Sequence, residues 1–155
     1  MNIENIAEKV SNWTKSSNML PKEAAEIEER VASGNSIFLI GEDGTPIGYA
    51  AITKEWPGNW MELGSVVIDP DERGKGNGHK MVGELFKKAK EKFPNSNLFA
   101  LCNKFSLKLF TDNGAVIMTD SSVLPEEVWE DCIKCSSFQA VKAAGKICCD
   151  TPVKI

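Results

Sequence analysis

Residues 66–81 read VVIDPDERGKGNGHKM, and the order of parts in that stretch decides the fold. Val66, Val67 and Ile68 close an apolar, β-branched run, and Pro70 stops it, which is the pattern of a strand end. Arg73, one of two arginines in the chain with Arg30, then stands directly before glycines at 74, 76 and 78. From about Gly76 to Phe93, Met81, Val82, Leu85, Phe86 and Ala89 recur at helical spacing, so a helix begins inside the glycine run. Glycine is a poor helix former, and three of them at a helix start need a reason beyond connection. The first-turn N–H groups of a helix have no intrahelical partners, and the helix dipole makes that end mildly positive. Glycines let such a backbone approach an anion closely. With Arg73 and Lys75 adding charge, the strand, turn and helix read as a cradle for phosphate or pyrophosphate.

Two familiar cradles fail on spacing. The phosphate-binding loop of nucleotide hydrolases needs G-x-x-x-x-G-K-[ST], which occurs nowhere in the chain. The dinucleotide fingerprint needs G-x-G-x-x-G, and Met81 stands where its last glycine would fall.

Working upstream, Ile3, Ile6, Val10 and Trp13 predict an amphipathic first helix. PKEAAEIEERVASG predicts a second, with Pro21 near its first turn and Gly34 as its stop. NSIFLIGEDGTPIGYAAITKEW reads as two strands joined at a tight turn around Asp43-Gly44. WPGNW is a loop, and WMELGSVVID is the third strand. Downstream of the central helix, SNLFALC is a buried strand and NKFSLKLFTDNG a helix with Phe105, Leu109 and Phe110 inward and Asn113-Gly114 as its C-cap. AVIMTD follows as a strand, LPEEVWEDCIKCSSFQAVKAAGK as a mostly helical insertion, and CCDTPVKI as a candidate final strand. With 155 residues, 42% of them hydrophobic, and no repeat or linker, one mixed α/β domain over residues 1–155 is expected.

Charge and hydropathy exclude several classes. A net charge of −4 with no basic block argues against nucleic acid as a partner. No apolar run approaches the roughly 18 residues that cross a bilayer, and the N-terminus lacks the pattern of a signal peptide. A cytoplasmic protein that does not engage membranes is the expectation.

Arg73, Gly76 and Gly78 fit R-x-x-G-x-G after VVIDP, which resembles the acetyl-CoA signature of the GNAT superfamily of N-acetyltransferases. NKFSLKLFTDNGAVI resembles that family's second motif, an asparagine followed by a helix ending in Y-x-x-x-G-F. The resemblance spans about residues 62–117. It implies a mostly antiparallel, twisted mixed sheet flanked by helices, and the C-terminal helical insertion before the last strand is where this chain departs from that pattern. Its parallel strands are expected to splay where coenzyme enters. It implies acetyl-CoA as cosubstrate, with Val66, Val67 and Ile68 along the pantetheine arm. Arg73, Gly74, Lys75, Gly76, Asn77, Gly78 and His79 would hold the pyrophosphate, and Asn103 and Ser106 are further candidate contacts. The activity implied is acetyl transfer to a primary amine of a small molecule or protein, by direct attack. Dimers are common among such folds, so a homodimer stays open.

That chemistry needs the amine deprotonated near the thioester and a donor for the developing oxyanion. A backbone N–H near Ile68 is the candidate donor, and Glu62, on the strand leading into the motif, is the candidate base. A solvent-facing strand carboxylate is the competing reading of Glu62. His79, the single histidine, sits beside the expected pyrophosphate rather than at the amine. Many family members protonate the leaving thiolate with a tyrosine where this chain has Phe110, which has no proton to give. Ala115 replaces the phenylalanine that ends the motif. Cys102 reads as core, and Trp56 and Trp60 either border the acceptor groove or cap the edge of the core.

Four of the five cysteines cluster as Cys132, Cys135, Cys148 and Cys149. C-x-x-C lets two thiolates share a tetrahedral zinc at about 2.3 Å, but adjacent cysteines on a strand point to opposite faces. Structural zinc, a redox or iron–sulfur role, and plain reduced thiols all stay open. Two rivals to the enzyme reading follow: a CoA-binding or sensing module without turnover, and an interaction domain organised by metal.

Overall fold

The computed structural model describes residues 2–17, 19, 21–134 and 151–155. In chain order its elements are α1 (Ile3–Lys15), α2 (Ala24–Ala32), β1 (Ser36–Ile40), β2 (Pro46–Trp56), β3 (Trp60–Ile68), α3 (Asn77–Lys92), β4 (Asn97–Cys102), α4 (Leu107–Asp112), β5 (Val116–Ile117) and β6 (Thr151–Lys154). Short 3₁₀ helices lie at Pro70–Glu72, Ser121–Val123 and Glu126–Lys134.

The strands form one six-stranded sheet in the order β1-β2-β3-β4-β6-β5. Its pairs are antiparallel except β3 with β4. This is the mixed, mostly antiparallel sheet that the sequence motifs imply. Alternation along the strands separates two faces. Met61, Leu63, Leu98, Ala100 and Val153 join Met81, Val82, Leu85, Phe86 and Ala89 of α3 in the largest core, together with Phe110 of α4. On the other face, Ala7, Val10 and Trp13 of α1 and Ile27 of α2 cover Tyr49, Ala51 and Val67. Further along that face, Leu124 and Val128 cover Trp56 and Phe99.

The helix spans show which local signals held. Asn2 caps α1 by accepting from the Glu4 N–H at 2.9 Å. The apolar stripe of α3 is the one expected, and Gly76 is its N-cap at φ 81°. α2 begins later than expected, at Ala24, with Pro21 outside it. The reason lies in α1: the Ser11 hydroxyl donates to the Lys22 carbonyl and the Lys22 N–H donates to Thr14 Oγ1, so the backbone there is already committed. Phe105 was expected inward on α4, but that helix starts at Leu107 and Phe105 is exposed. The described part of the insertion is 3₁₀ rather than α-helical over Glu126–Lys134. Among the described residues no helix is long and apolar enough to cross a membrane.

Gly48 marks the tightest approach in the sheet. A Cβ there would stand 2.8 Å from Ile68 Cδ1 and 3.2 Å from both Leu39 Cβ and Met81 Sδ. Gly48→Val is therefore expected to cost about 1–3 kcal/mol through overpacking. At about 2–4 °C per kcal/mol for a chain of this size, a thermal melt reads the loss directly.

Candidate functional site

β3 and β4 run together for three residue pairs only: Trp60 with Asn97, Met61 with Leu98, and Glu62 with Phe99. Beyond them β3 keeps its partner β2 and β4 keeps its partner β6, so the facing edges separate. A cleft of about 800 Å³ opens between them, lined by Val66, Val67 and Ile68 on the β3 side and by Leu101 on the β4 side. The free backbone groups along the β3 edge must be satisfied by water or by a ligand. The edge is also bent: Tyr49 faces Val67 while Ala51 faces Gly64, so Ser65 and Val66 together oppose Ala50. This is a β-bulge, with Ser65 at φ 53°.

The glycine turn closes one end of the cleft. Asp69 accepts from the Asp71 N–H at 3.0 Å, and Asn77 Nδ2 donates to the Glu72 carbonyl at 3.0 Å, so both ends of the turn are pinned. Gly74 at φ 76° and Gly76 at φ 81° hold a conformation that L side chains rarely adopt. Neither would bring a Cβ within 4 Å of another heavy atom, so the space above both is open. The first turn of α3 carries no side-chain cap and no acidic residue. Its N–H groups thus lack a side-chain partner at the glycine turn, an arrangement that fits an anionic pyrophosphate. Gly78 serves another purpose, since a Cβ there would meet Leu109 Cδ1 at 3.2 Å where α3 crosses α4.

The charged residues of the motif are placed unequally. Arg73 lines the cleft, but its Nε donates to the Ile68 carbonyl at 3.1 Å and its guanidinium donates to Ser17 Oγ at 2.7 Å. It therefore ties the α1–α2 connection to the end of β3. Lys75, expected to add charge to the cradle, is outside the residues that line it; its ammonium pairs with Glu72 at 3.0 Å in solvent. His79 lines the cleft and bonds Asp112 at 2.9 Å, joining α3 to α4.

Asn103 and Ser106 line the same cleft from the turn after β4. Asn103 Oδ1 accepts from the Phe105 and Ser106 N–H groups at 2.9 and 3.0 Å, and Ser106 Oγ accepts from the Asn103 N–H at 3.2 Å. Both residues thus shape the start of α4. Glu62, on the last paired rung before the strands part, lines the cleft and accepts from Thr53 Oγ1 at 3.1 Å. It is a half-buried carboxylate on the cleft wall.

Other expectations resolve by burial. Cys102 is fully buried, and burial raises its thiol to about 11 against the lowering effect of the Ser106 hydrogen bond. It belongs to the core. Phe110 is buried against Phe86. The single tyrosine, Tyr49, is buried against Phe38 on the α1–α2 face, where desolvation raises its hydroxyl's pKa well above the usual range. Trp56 and Trp60 pair at the end of the β2–β3 hairpin, pack with Phe99 and are not among the residues that line the cleft, so they cap the core. Cys135, Cys148 and Cys149 lie outside the described residues; Cys132 falls in the 3₁₀ helix Glu126–Lys134. Among the described residues no group of three or more metal-binding side chains assembles.

Several cleft residues carried no local signal in the sequence. Ser16, Ser17, Met19 and Lys22 reach it from the α1–α2 connection, and Val128 from the segment after β5. Ser17 is placed by a contact remote in sequence, its bond with Arg73.

Comparison with known proteins agrees with this geometry. The sequence profile of the acetyltransferase (GNAT) family matches residues 4–115. A UPF0039 protein of Schizosaccharomyces pombe is 29% identical over 79 residues, which are 51% of this chain and 52% of that protein, so the match spans about half of the relative's length. The Mycobacterium tuberculosis protein Rv2747, solved with CoA and NLQ, superposes with a TM-score of 0.67 at 19% identity, over 97% of this chain and 93% of that one. A phosphinothricin acetyltransferase of Sinorhizobium meliloti, solved with AcCoA, superposes with a TM-score of 0.58 at 20% identity, over 75% of this chain and 70% of that one. At these identities the superpositions speak for the fold.

The α3–α4 clasp makes a pH prediction. Hydrogen bonds from Lys108 and then His79 hold the Asp112 carboxyl below its ordinary value of 3.8. A depressed carboxylate contributes to the clasp at neutral pH and loses that contribution only as pH falls through the lowered value. In an NMR titration Asp112 should have its midpoint below 3.8, and Lys108→Ala should move it upward.

Proposed function

The chain belongs to the acetyltransferase (GNAT) family, and from that premise we propose that it transfers an acetyl group from acetyl-CoA to a primary amine by direct attack. One observation carries the reading: the β3 edge freed beyond Glu62 leads straight into the glycine turn and the uncapped start of α3. An extended arm ending in a pyrophosphate matches that sequence of a free strand edge and an anion cradle. The pantetheine arm lies along Val66, Val67 and Ile68. The pyrophosphate sits at the turn from Arg73 through Gly78, with Asn103 and Ser106 on the facing wall.

Acetyl-CoA supplies an activated thioester carbonyl. Glu62 accepts the proton of the incoming ammonium, directly or through one water, from the vertex where the strands part. Thr53, which donates to the Glu62 carboxylate, orients it. A backbone N–H of the β3 edge near Ile68 holds the carbonyl oxygen as charge develops. The C–N bond forms as the C–S bond breaks, the acylated nitrogen gives its second proton to water, and the sulfur leaves as thiolate. With Phe110 in the family's tyrosine position and Tyr49 buried on the other face, the thiolate takes its proton from water. Phe110 also favours the rival reading, a module that holds CoA without turning it over, and acetylation of any amine removes that rival.

The test has two stages. Acetyl-CoA at 100 times its dissociation constant should stabilise the protein by about 2.7 kcal/mol, a rise of roughly 5–11 °C in the melting midpoint. Gly76→Asp, which sets a carboxylate in the cradle, should abolish the rise; no shift at millimolar acetyl-CoA in the parent chain overturns the reading. In a thiol-release assay Glu62→Gln should lower kcat by about 10²–10⁴ at neutral pH while leaving the acetyl-CoA shift intact. An unchanged kcat would remove Glu62 as the base.

A further inference from the structure

The cleft has a second compartment, on the sheet face opposite α3. Alternation along β3 sends Met61 and Leu63 into the α3 core, which leaves Glu62 on the other face. There Leu101 of β4 packs with Phe99 and Val128, and Leu101 and Val128 both line the cleft. Met19 and Lys22 line it from the α1–α2 connection, whose helices cover the same face. Val128, beyond residue 115 where the family match ends, is itself buried at the base of this wall, and Leu101 and Met19 are half-buried along it.

The charges of this compartment are few and mostly committed. Lys22 pairs with Glu26 one helical turn on, at 3.7 Å. Arg73 is held by Ser17 and the Ile68 carbonyl at the glycine turn. Among the described lining residues the carboxylates are Glu62 and Glu72, and Glu72 is paired with Lys75. A second ammonium on the acceptor would find no further carboxylate among them, and an acceptor carboxylate would find Lys22 already answered by Glu26. Burying an unanswered charge is costly, whereas an alkyl or aryl arm gains from contact with the half-buried Leu101 and Met19.

We propose that the acceptor is a primary amine on an uncharged, apolar arm, with its nitrogen at Glu62 and its alkyl or aralkyl body against Leu101 and Met19. This rests on the acetyltransferase reading above. It assigns Leu101 and Met19 a role in choosing the substrate.

The experiment uses the full chain with saturating acetyl-CoA and a thiol-release readout. The acceptors are ethylamine, butylamine, hexylamine and phenethylamine, set against spermidine, glutamate and a lysine peptide. Along the alkyl series kcat/KM should rise about fourfold per methylene, the equivalent of about 0.8 kcal/mol each, until the compartment is filled. Spermidine, glutamate and the peptide should fall at least tenfold below phenethylamine. Leu101→Ala should lower kcat/KM for hexylamine several-fold and for ethylamine little, with acetyl-CoA binding retained by calorimetry. A flat alkyl series, or preference for any of the charged acceptors, overturns the proposal. So does a chain that binds acetyl-CoA by calorimetry yet acetylates none of these amines. A chain that fails to bind acetyl-CoA at all strikes the acetyltransferase reading itself, and the calorimetry separates the two failures.

Discussion

Everything at the site depends on the parting of β3 from β4 after the Glu62–Phe99 rung. A strand inside a sheet normally satisfies its backbone on both sides, and leaving one edge unpaired inside a protein is tolerated only where water or a ligand completes it. Here β3 stays anchored to β2 and β4 to β6, so the sheet opens without losing its integrity. The bulge at Ser65 lets β3 bend away while its ladder with β2 resumes at Val67.

The surroundings hold that opening in shape. Arg73 fastens the α1–α2 connection to the end of β3, and Asn77 fastens the glycine turn to Glu72. On the facing wall, Asn103 and Ser106 fix the turn into α4, whose close approach to α3 depends on the missing side chain of Gly78. The His79–Asp112–Lys108 cluster closes the outer surface of that helix pair. These are mostly polar contacts at partly exposed positions, and their value lies in geometry more than in stability.

The two faces of the sheet divide the work. The α3 face is closed by an apolar core and supplies the rigid end of the cleft. The opposite face is covered in two separate clusters, one under α1 and α2 and one under the segment of Leu124 and Val128. Glu62 is exposed to the cleft on that divided face, with a hydroxyl partner in Thr53 and apolar neighbours on β4. A coenzyme threading the sheet from the α3 side and an acceptor arriving from the other would meet at this carboxylate.

Much of this was legible in the chain. The α3 stripe, the hairpin at Asp43-Gly44, the glycine turn and the asparagine–glycine end of α4 are local: each follows from spacing or from a residue that permits one backbone conformation. So the sequence alone determined the element order through α4, the glycine turn and the family resemblance. It misjudged Phe105 and the start of α2, because the caps there are made by partners outside the helix's own pattern. It also counted Lys75 with the cradle, since composition does not say that Glu72 turns its ammonium outward. Only the tertiary structure decided that Arg73 is a tie as well as a charge, that Glu62 stands at the vertex of the opening, and that Met19, Lys22 and Val128 share its cleft. Those outcomes depend on which strand edges part and which remote segments meet there, and such long-range contacts leave no periodic trace in the chain.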